Sequence, residues 1–223
     1  VEPLFQPLAD ACEKVFLLGE SAHSDAVEFS DGKIIFGKLN PIFKLDFTLI
    51  QKKIPNLAEL LNTSELTAFA NWTMIPQMTE IWRQLIKSYL PSLDDKPRFL
   101  FIDLADPAKR SDFDLREAVE TLSQFGKKFK VILGLNQREA ERLEQVLLNR
   151  ESENNLLAIA KELRKKSGLY GIVIHAKTYA VASTEDEEGA YADGPECPQI
   201  VLSTGGGDNF NAGFCKGLLM GLN

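Results

Sequence analysis

The sequence predicts a three-layer α/β/α fold around one mostly parallel sheet, and three observations predict it. Short apolar runs alternate with longer amphipathic stretches along most of the chain, the pattern of strand–helix units. Polar residues follow several of the apolar runs, where an open parallel sheet gathers its ligands. A length of 223 residues with 44% hydrophobic and 26% charged side chains suffices for one substantial core. A single α/β domain spanning 1–223 is therefore expected.

The elements follow in order. KVFLLGE, at 14–20, reads as a buried strand ending in Gly19. AVEFSDGKIIFG then alternates apolar and polar residues around Asp31-Gly32; both tolerate positive φ, so a tight antiparallel hairpin is expected there. Next, LTAFANW reads as a strand, MTEIWRQLIKSYL as a helix, RFLFIDL as a strand, LREAVETLSQFG as a helix closed by Gly126, and KVILGL as a strand. The helices QREAERLEQVLL and NLLAIAKELRKKSG precede the strand YGIVIH and the run AVAST. The acidic, turn-rich STEDEEGAYADGPECPQ is expected to be a surface connection to a last apolar strand, IVLS. In the closing helix NFNAGFCKGLLMG, Gly213, Gly217 and Gly221 share one face and are expected to permit close packing on the sheet.

Charge and composition exclude several function classes. A net charge of −7 argues against binding a nucleic-acid backbone, which needs a basic face. An acidic protein that handles phosphates needs local glycine amides, a few lysines or a divalent cation instead. Cys12, Cys197 and Cys215 are too few and too scattered for a disulfide framework or a zinc site. No apolar stretch has the length of a membrane span, and the first residues lack the order of a signal peptide. The sequons at Asn62 and Asn71 read as chance, and a cytoplasmic location is expected.

The chemistry-bearing residues sit at predicted strand ends. Asp103, Asp106 and Arg110 follow one strand, Asn136 and Glu139 a second, and Ser203, Thr204, Gly205, Gly206, Gly207 and Asp208 a third. Consecutive glycines can turn successive N–H groups toward one point, and the helix that follows adds its positive end. A carboxylate beside such a nest repels a passively held anion. It makes sense as a base that takes a proton from a hydroxyl attacking phosphorus, while the nest holds the transferring group. The other reading makes Asp208 the N-cap of the closing helix. A Walker loop would end in Gly-Lys-Ser/Thr where this chain has Gly207-Asp208-Asn209, and a dinucleotide fingerprint would want glycine where Phe210 stands.

STGGGDNFNAGF resembles the second signature of the ribokinase-like, or PfkB, carbohydrate kinases, Asp-Thr-x-Gly-Ala-Gly-Asp followed by Phe and an Ala-Gly helix. NQRE at 136–139 is similar to the family's Asn-x-x-Glu, and DPAKR at 106–110 to its Asp-Pro-Asn-x-Arg, in matching order. The resemblance covers the chain from about Val15 onward and implies a ribokinase-like fold with a small β lid, the hairpin within about 15–45. It implies an ATP-dependent kinase acting on a hydroxyl of a small sugar or sugar-like molecule. Asp208 would be the general base, Gly205 to Gly207 the anion hole, and Ser203, Thr204, His175 and Lys177 nucleotide contacts. Asn136 and Glu139 would help position Mg²⁺ and its waters. Asp106 and Arg110 would lie near the substrate and phosphate region, and a lid of this kind allows a homodimer; Asn71 and Trp72, after a predicted strand, are expected to line the substrate pocket. No nucleic-acid or membrane partner is implied.

Blander readings stand beside these. NQRE is also a capping box, DPAKR an ordinary turn, and Trp72 a core residue rather than a sugar platform. His175 serves equally as a structural hydrogen-bonder and Lys177 as surface charge. The chain departs from the family pattern at Leu202-Ser203, at Ala108 and at His175-Ala176-Lys177, which motivates an alternative: a catalytically weak homologue that binds sugar or nucleotide for regulation. The family's glycine-rich sugar segment and its adenine-binding region find no counterpart between Val1 and Asn223, so the chain is expected to be part of a longer protein and inactive by itself.

Overall fold

A computed structural model describes residues 3–150, 155–195 and 204–222. A short helix α1 (Gln6–Ala11) precedes the antiparallel hairpin of β1 (His23–Phe29) and β2 (Gly32–Lys38). KVFLLGE, between α1 and the hairpin, is not a strand: it pairs with no strand among the described residues, and Val15 and Leu17 instead line a groove with Phe5, Leu8 and Ala9. The hairpin turns one residue earlier than expected. Phe29 pairs with Gly32, so Ser30-Asp31 forms the loop, and neither Asp31 nor Gly32 takes positive φ. This register sets Glu28 opposite Lys33 and Val27 opposite Ile34, joining opposite charges and apolar partners across the strands.

Helices α2 (Phe47–Lys53) and α3 (Leu57–Thr63) lead into a six-stranded sheet. Its strands lie in chain order: β3 (Leu66–Phe69), β4 (Phe99–Asp103), β5 (Lys130–Asn136), β6 (Gly171–His175), β7 (Tyr179–Thr184) and β8 (Ala190–Asp193). The first four are parallel, and β7 and β8 are added antiparallel. The acidic segment expected to be a bare connection thus contributes the edge strand β8, because Ala190-Tyr191-Ala192 can pair with β7, and Tyr191 stacks on Tyr179 with ring centroids 5.4 Å apart. The expected strand IVLS lies outside the described residues.

Sheet order fixes where the helices go. Right-handed crossovers that add each parallel strand on the same side keep every crossover helix on one face. Accordingly α4 (Met78–Ser88), α5 (Asp112–Gln124), α6 (Gln137–Leu148) and α7 (Leu156–Ser167) form one core with Leu100, Ile102, Leu133, Leu135, Ile172 and Ile174. The alternate residues Phe101, Ile132 and Val173 point the other way and are covered by Phe210, Phe214, Cys215 and Leu218 of α8 (Gly206–Leu219). Helix caps follow the sequence in part: Asn149 and Gly168 close α6 and α7 in the left-handed conformation. Gly126 does not close α5 that way; a 3-10 turn, Phe125–Lys127, runs through it. Gly213 and Gly217 do not serve close packing either, since a Cβ there would meet nothing within 4 Å; aromatic side chains make the contact with the sheet.

Candidate active site

The carboxyl edge of β3 to β6 collects the polar residues singled out by sequence. Asn71 follows β3, Asp106 and Arg110 follow β4, Asn136 ends β5, His175 ends β6 with Lys177 in the exposed turn beyond it, and α8 brings its first turn to the same edge. Parity decides which face each one joins. Asp103, Gly134 and His175 share the parity of Phe101, Ile132 and Val173, so they emerge beneath α8.

Asn136 and Glu139 start α6 with a capping box. The Asn136 Oδ1 accepts the Glu139 amide at 3.0 Å, and the Glu139 Oε2 accepts the Asn136 amide at 2.9 Å. The other carboxylate oxygen, Oε1, accepts the Asp106 amide at 2.9 Å. That bond holds Ala105 and Asp106 in consecutive left-handed conformations, with φ of 56° and 62°. Burial lifts the Glu139 carboxyl above the usual range, the two amides counter it, and the charges of Asp103 and Asp106 add to the lift. The capping role written in the sequence is therefore real, and it extends to the neighbouring loop.

Asp208 does not cap α8. Gly205 is the N-cap, in the left-handed conformation at φ 87°, and Asp208 lies within the first turn. Its side chain is exposed and has no hydrogen-bonding or ion-pairing partner among the described residues. The amides of Gly206, Gly207 and Asp208 have no acceptor within the helix, as at every helix start, and they carry its positive end. His175 packs its ring on Phe210 with centroids 4.8 Å apart, and its Nε2 would lie 3.6 Å from a Cβ at Gly207. Burial lowers the His175 pKa, and the Asp103 charge opposes the shift.

Asp103, noted at its strand end but given no role from the sequence, and Asn211, which the sequence reading missed, belong to this cluster. Asp103 Oδ2 accepts the Asn211 Nδ2 at 2.7 Å, and its Oδ1 accepts the Ala105 amide at 2.8 Å. Burial raises the Asp103 pKa, and the charge of Asp208 raises it further. A strand-terminal aspartate three residues before the Asp-Pro turn was the available signal; Asn211, three residues beyond Asp208, was the other.

Other predicted residues make contacts of a different kind. Arg110 lies over the Trp72 ring at 4.6 Å, donates to the Pro76 carbonyl at 3.5 Å and pairs with Asp114 at 3.6 Å. Trp72 is fully buried with its Nε1 donating to Thr79, so it is core. Asn71 takes φ 67° and keeps a buried Oδ1 without a hydrogen bond among the described residues. Thr204 donates from its amide and hydroxyl to Glu28 on β1 and accepts from Lys33 on β2, joining the hairpin to the start of α8. Ser203 and Cys197 lie outside the described residues; Cys12 and Cys215 are free thiols. Among the described residues no helix is long and apolar enough to cross a membrane, and no three acidic, histidine or cysteine side chains cluster to hold a metal.

Known proteins share this architecture. A ketohexokinase from Haloferax volcanii is 30% identical over 201 residues, covering 88% of this chain and 52% of its own. The chain thus spans about half the length of the curated relative it matches. The crystal structure of 2-dehydro-3-deoxygluconokinase from Thermotoga maritima superposes with a TM-score of 0.60 at 14% identity, covering 86% of this chain and 58% of that one. A provisionally named 2-keto-3-deoxygluconate kinase from Enterococcus faecalis gives 0.56 at 12% identity, over 92% of this chain and 61% of its own. These likenesses identify the fold as ribokinase-like α/β/α. The model of the prokaryotic ketohexokinase family matches residues 2–223, and this chain belongs to that family.

Proposed function

We propose that the full-length protein transfers the γ-phosphoryl group of ATP to a hydroxyl of a sugar, a ketohexose by kinship with the Haloferax volcanii ketohexokinase. Asp208 takes the hydroxyl proton as the oxygen attacks phosphorus; the new O–P bond forms, the bond from phosphorus to the ADP oxygen breaks, and ADP leaves. The amides around Gly205, Gly206 and Gly207 hold the charge of the migrating group. What carries the reading is one observation: an exposed carboxylate without a partner among the described residues, on the first turn of a glycine-started helix at the sheet's carboxyl edge.

The remaining roles follow from position. Thr204 and His175 flank the glycine turn and would contact the nucleotide phosphates, with Lys177 beyond His175 on the same side; Ser203, outside the described residues, is proposed for the same role from sequence alone. The hairpin of β1 and β2, tied to Thr204, would act as the lid over the sugar, with Asn71 and Asp106 on the acceptor side. Arg110 would support that side by holding Trp72. Asn136 and Glu139 offer hard oxygens whose first lone pairs hold amides, which suits contact with the waters of Mg²⁺ rather than a cage around it. Bound Mg²⁺ would neutralise phosphate charge.

The test is a panel of sugars with ATP and Mg²⁺ on the full-length protein, comparing wild type with Asp208→Asn. A loss of about a hundredfold or more in kcat is expected for removal of a general base. Undiminished turnover removes the assignment of Asp208. Nucleotide binding without turnover on any sugar favours the regulatory reading instead.

A further inference from the structure

We infer that Asp103 is a positioning residue that aims Asp208 by way of Asn211; the inference rests on the reading of Asp208 as the base. The start of α8 needs an external anchor. Its N-cap and first two helical residues are all glycine, and no side chain caps it. Glycine is the ordinary residue least committed to a helix. The apolar face of α8 does not supply direction, because the contacts of Phe210, Phe214 and Leu218 with the sheet are non-directional and let a helix rotate or slide. The hydrogen bond from Asn211 to Asp103 is directional, and Asn211 lies three residues from Asp208, on the same helical face.

The anchor is itself fixed. Asp103 ends β4, and its second oxygen holds the Ala105 amide, so the carboxylate cannot swing away. Beside it Gly134 leaves room for the asparagine: a Cβ there would lie 2.4 Å from Phe101 Cζ and 3.3 Å from Asn211 Oδ1. That Asn211 oxygen is buried with no hydrogen-bond partner among the described residues. The amide is thus oriented for the sake of its bond to Asp103, leaving its own acceptor unsatisfied. A neutral acceptor at 103 would hold the helix without facing the Asp208 charge; the carboxylate gives a stronger, charge-assisted bond.

The experiment uses the full-length protein, with kcat, both KM values and the melting temperature measured for each variant. Asn211→Leu, similar in volume but unable to donate, is expected to lower kcat about ten- to a hundredfold, since misplacing a reacting group by about 1 Å costs on that order. Both KM values should stay within about twofold of wild type, and the melting temperature should change little. The paired exchange of Asp103→Asn with Asn211→Asp rebuilds the bond with donor and acceptor reversed and should recover most of the lost kcat. A kcat for Asn211→Leu within twofold of wild type overturns the inference. So does an exchanged pair that melts like wild type yet stays as slow as Asn211→Leu. Asp208→Asn in the same assays separates the two ideas: if it keeps full kcat, the base assignment has failed, whereas a dead Asp208→Asn beside a fully active Asn211→Leu removes only the positioning role.

Discussion

Asp103 carries a negative charge in a half-buried place beside a second carboxylate, and its protonation equilibrium records the cost. Burial first, and then the Asp208 charge, raise its pKa, while the Ala105 and Asn211 hydrogen bonds and the nearby His175 oppose the rise. The folded protein therefore holds this proton more tightly than the unfolded chain. Its favourable contribution is complete below the unfolded value of about 3.9 and is lost as pH rises through the raised folded value. Asp103→Asn removes the titration. The melting temperature of that variant minus that of wild type should climb as pH goes from 4 toward neutrality and then level off. A difference that stays flat across the range would reject the buried-charge description. Asp208→Asn belongs to the same scale, with its effect on turnover rather than on stability.

At the element scale, β5 leaves little clearance beneath α8 at Gly134. Gly134 is fully inside β5, and the ring of Phe101 occupies the space its side chain would take. Gly134→Ala must push Phe101 or the start of α8 outward, an overpacking that costs about 1–3 kcal/mol. Urea denaturation of the variant should report that loss, and kcat should fall with it as the first turn of α8 is displaced. Unchanged stability would mean that Phe101 moves freely and that the helix start is held less closely than its contacts indicate. The hairpin of β1 and β2 differs in kind. Both strands are exposed along their whole length, and Glu28 and Lys33 tie the hairpin to Thr204 through polar side-chain contacts.

Across the whole molecule, charge is unevenly placed. The carboxyl edge of the sheet carries Asp103, Asp106, Glu139 and Asp208 beside Lys109, Arg110 and Lys177, whereas a cavity of about 250 Å³ at the amino edge is lined by Lys96, Arg98, Lys127, Lys128 and Lys130 with a single acid, Asp95. A nucleotide triphosphate brought beside Asp103 and Asp208 meets like charge there, and on the proposed reading a divalent cation offsets it. Thermal melts of the full-length protein should show ATP with Mg²⁺ stabilising the fold, by about 2.7 kcal/mol at a hundredfold excess over Kd, and ATP with EDTA stabilising it much less. Equal protection with and without the metal would count against Asn136, Glu139 and the acidic edge as the metal side of the site. No protection at all would fit a structural domain.

Sequence alone determined the alternation of elements, because apolar period and cap chemistry are local: the capping box at Asn136, the left-handed Gly168 and the glycine start of α8 are all written within a few residues. It also brought Asp208 and the glycine turn forward as chemistry. Tertiary structure decided whatever depends on a distant partner. KVFLLGE is apolar enough for a strand but lays Val15 and Leu17 along a groove instead, Ala190 to Asp193 looks like a loop but has β7 beside it, and the link between Asp103 and Asn211 joins residues 108 positions apart. A hydrogen bond across that span leaves no period and no motif in the chain, so only the packed sheet and helix could reveal it.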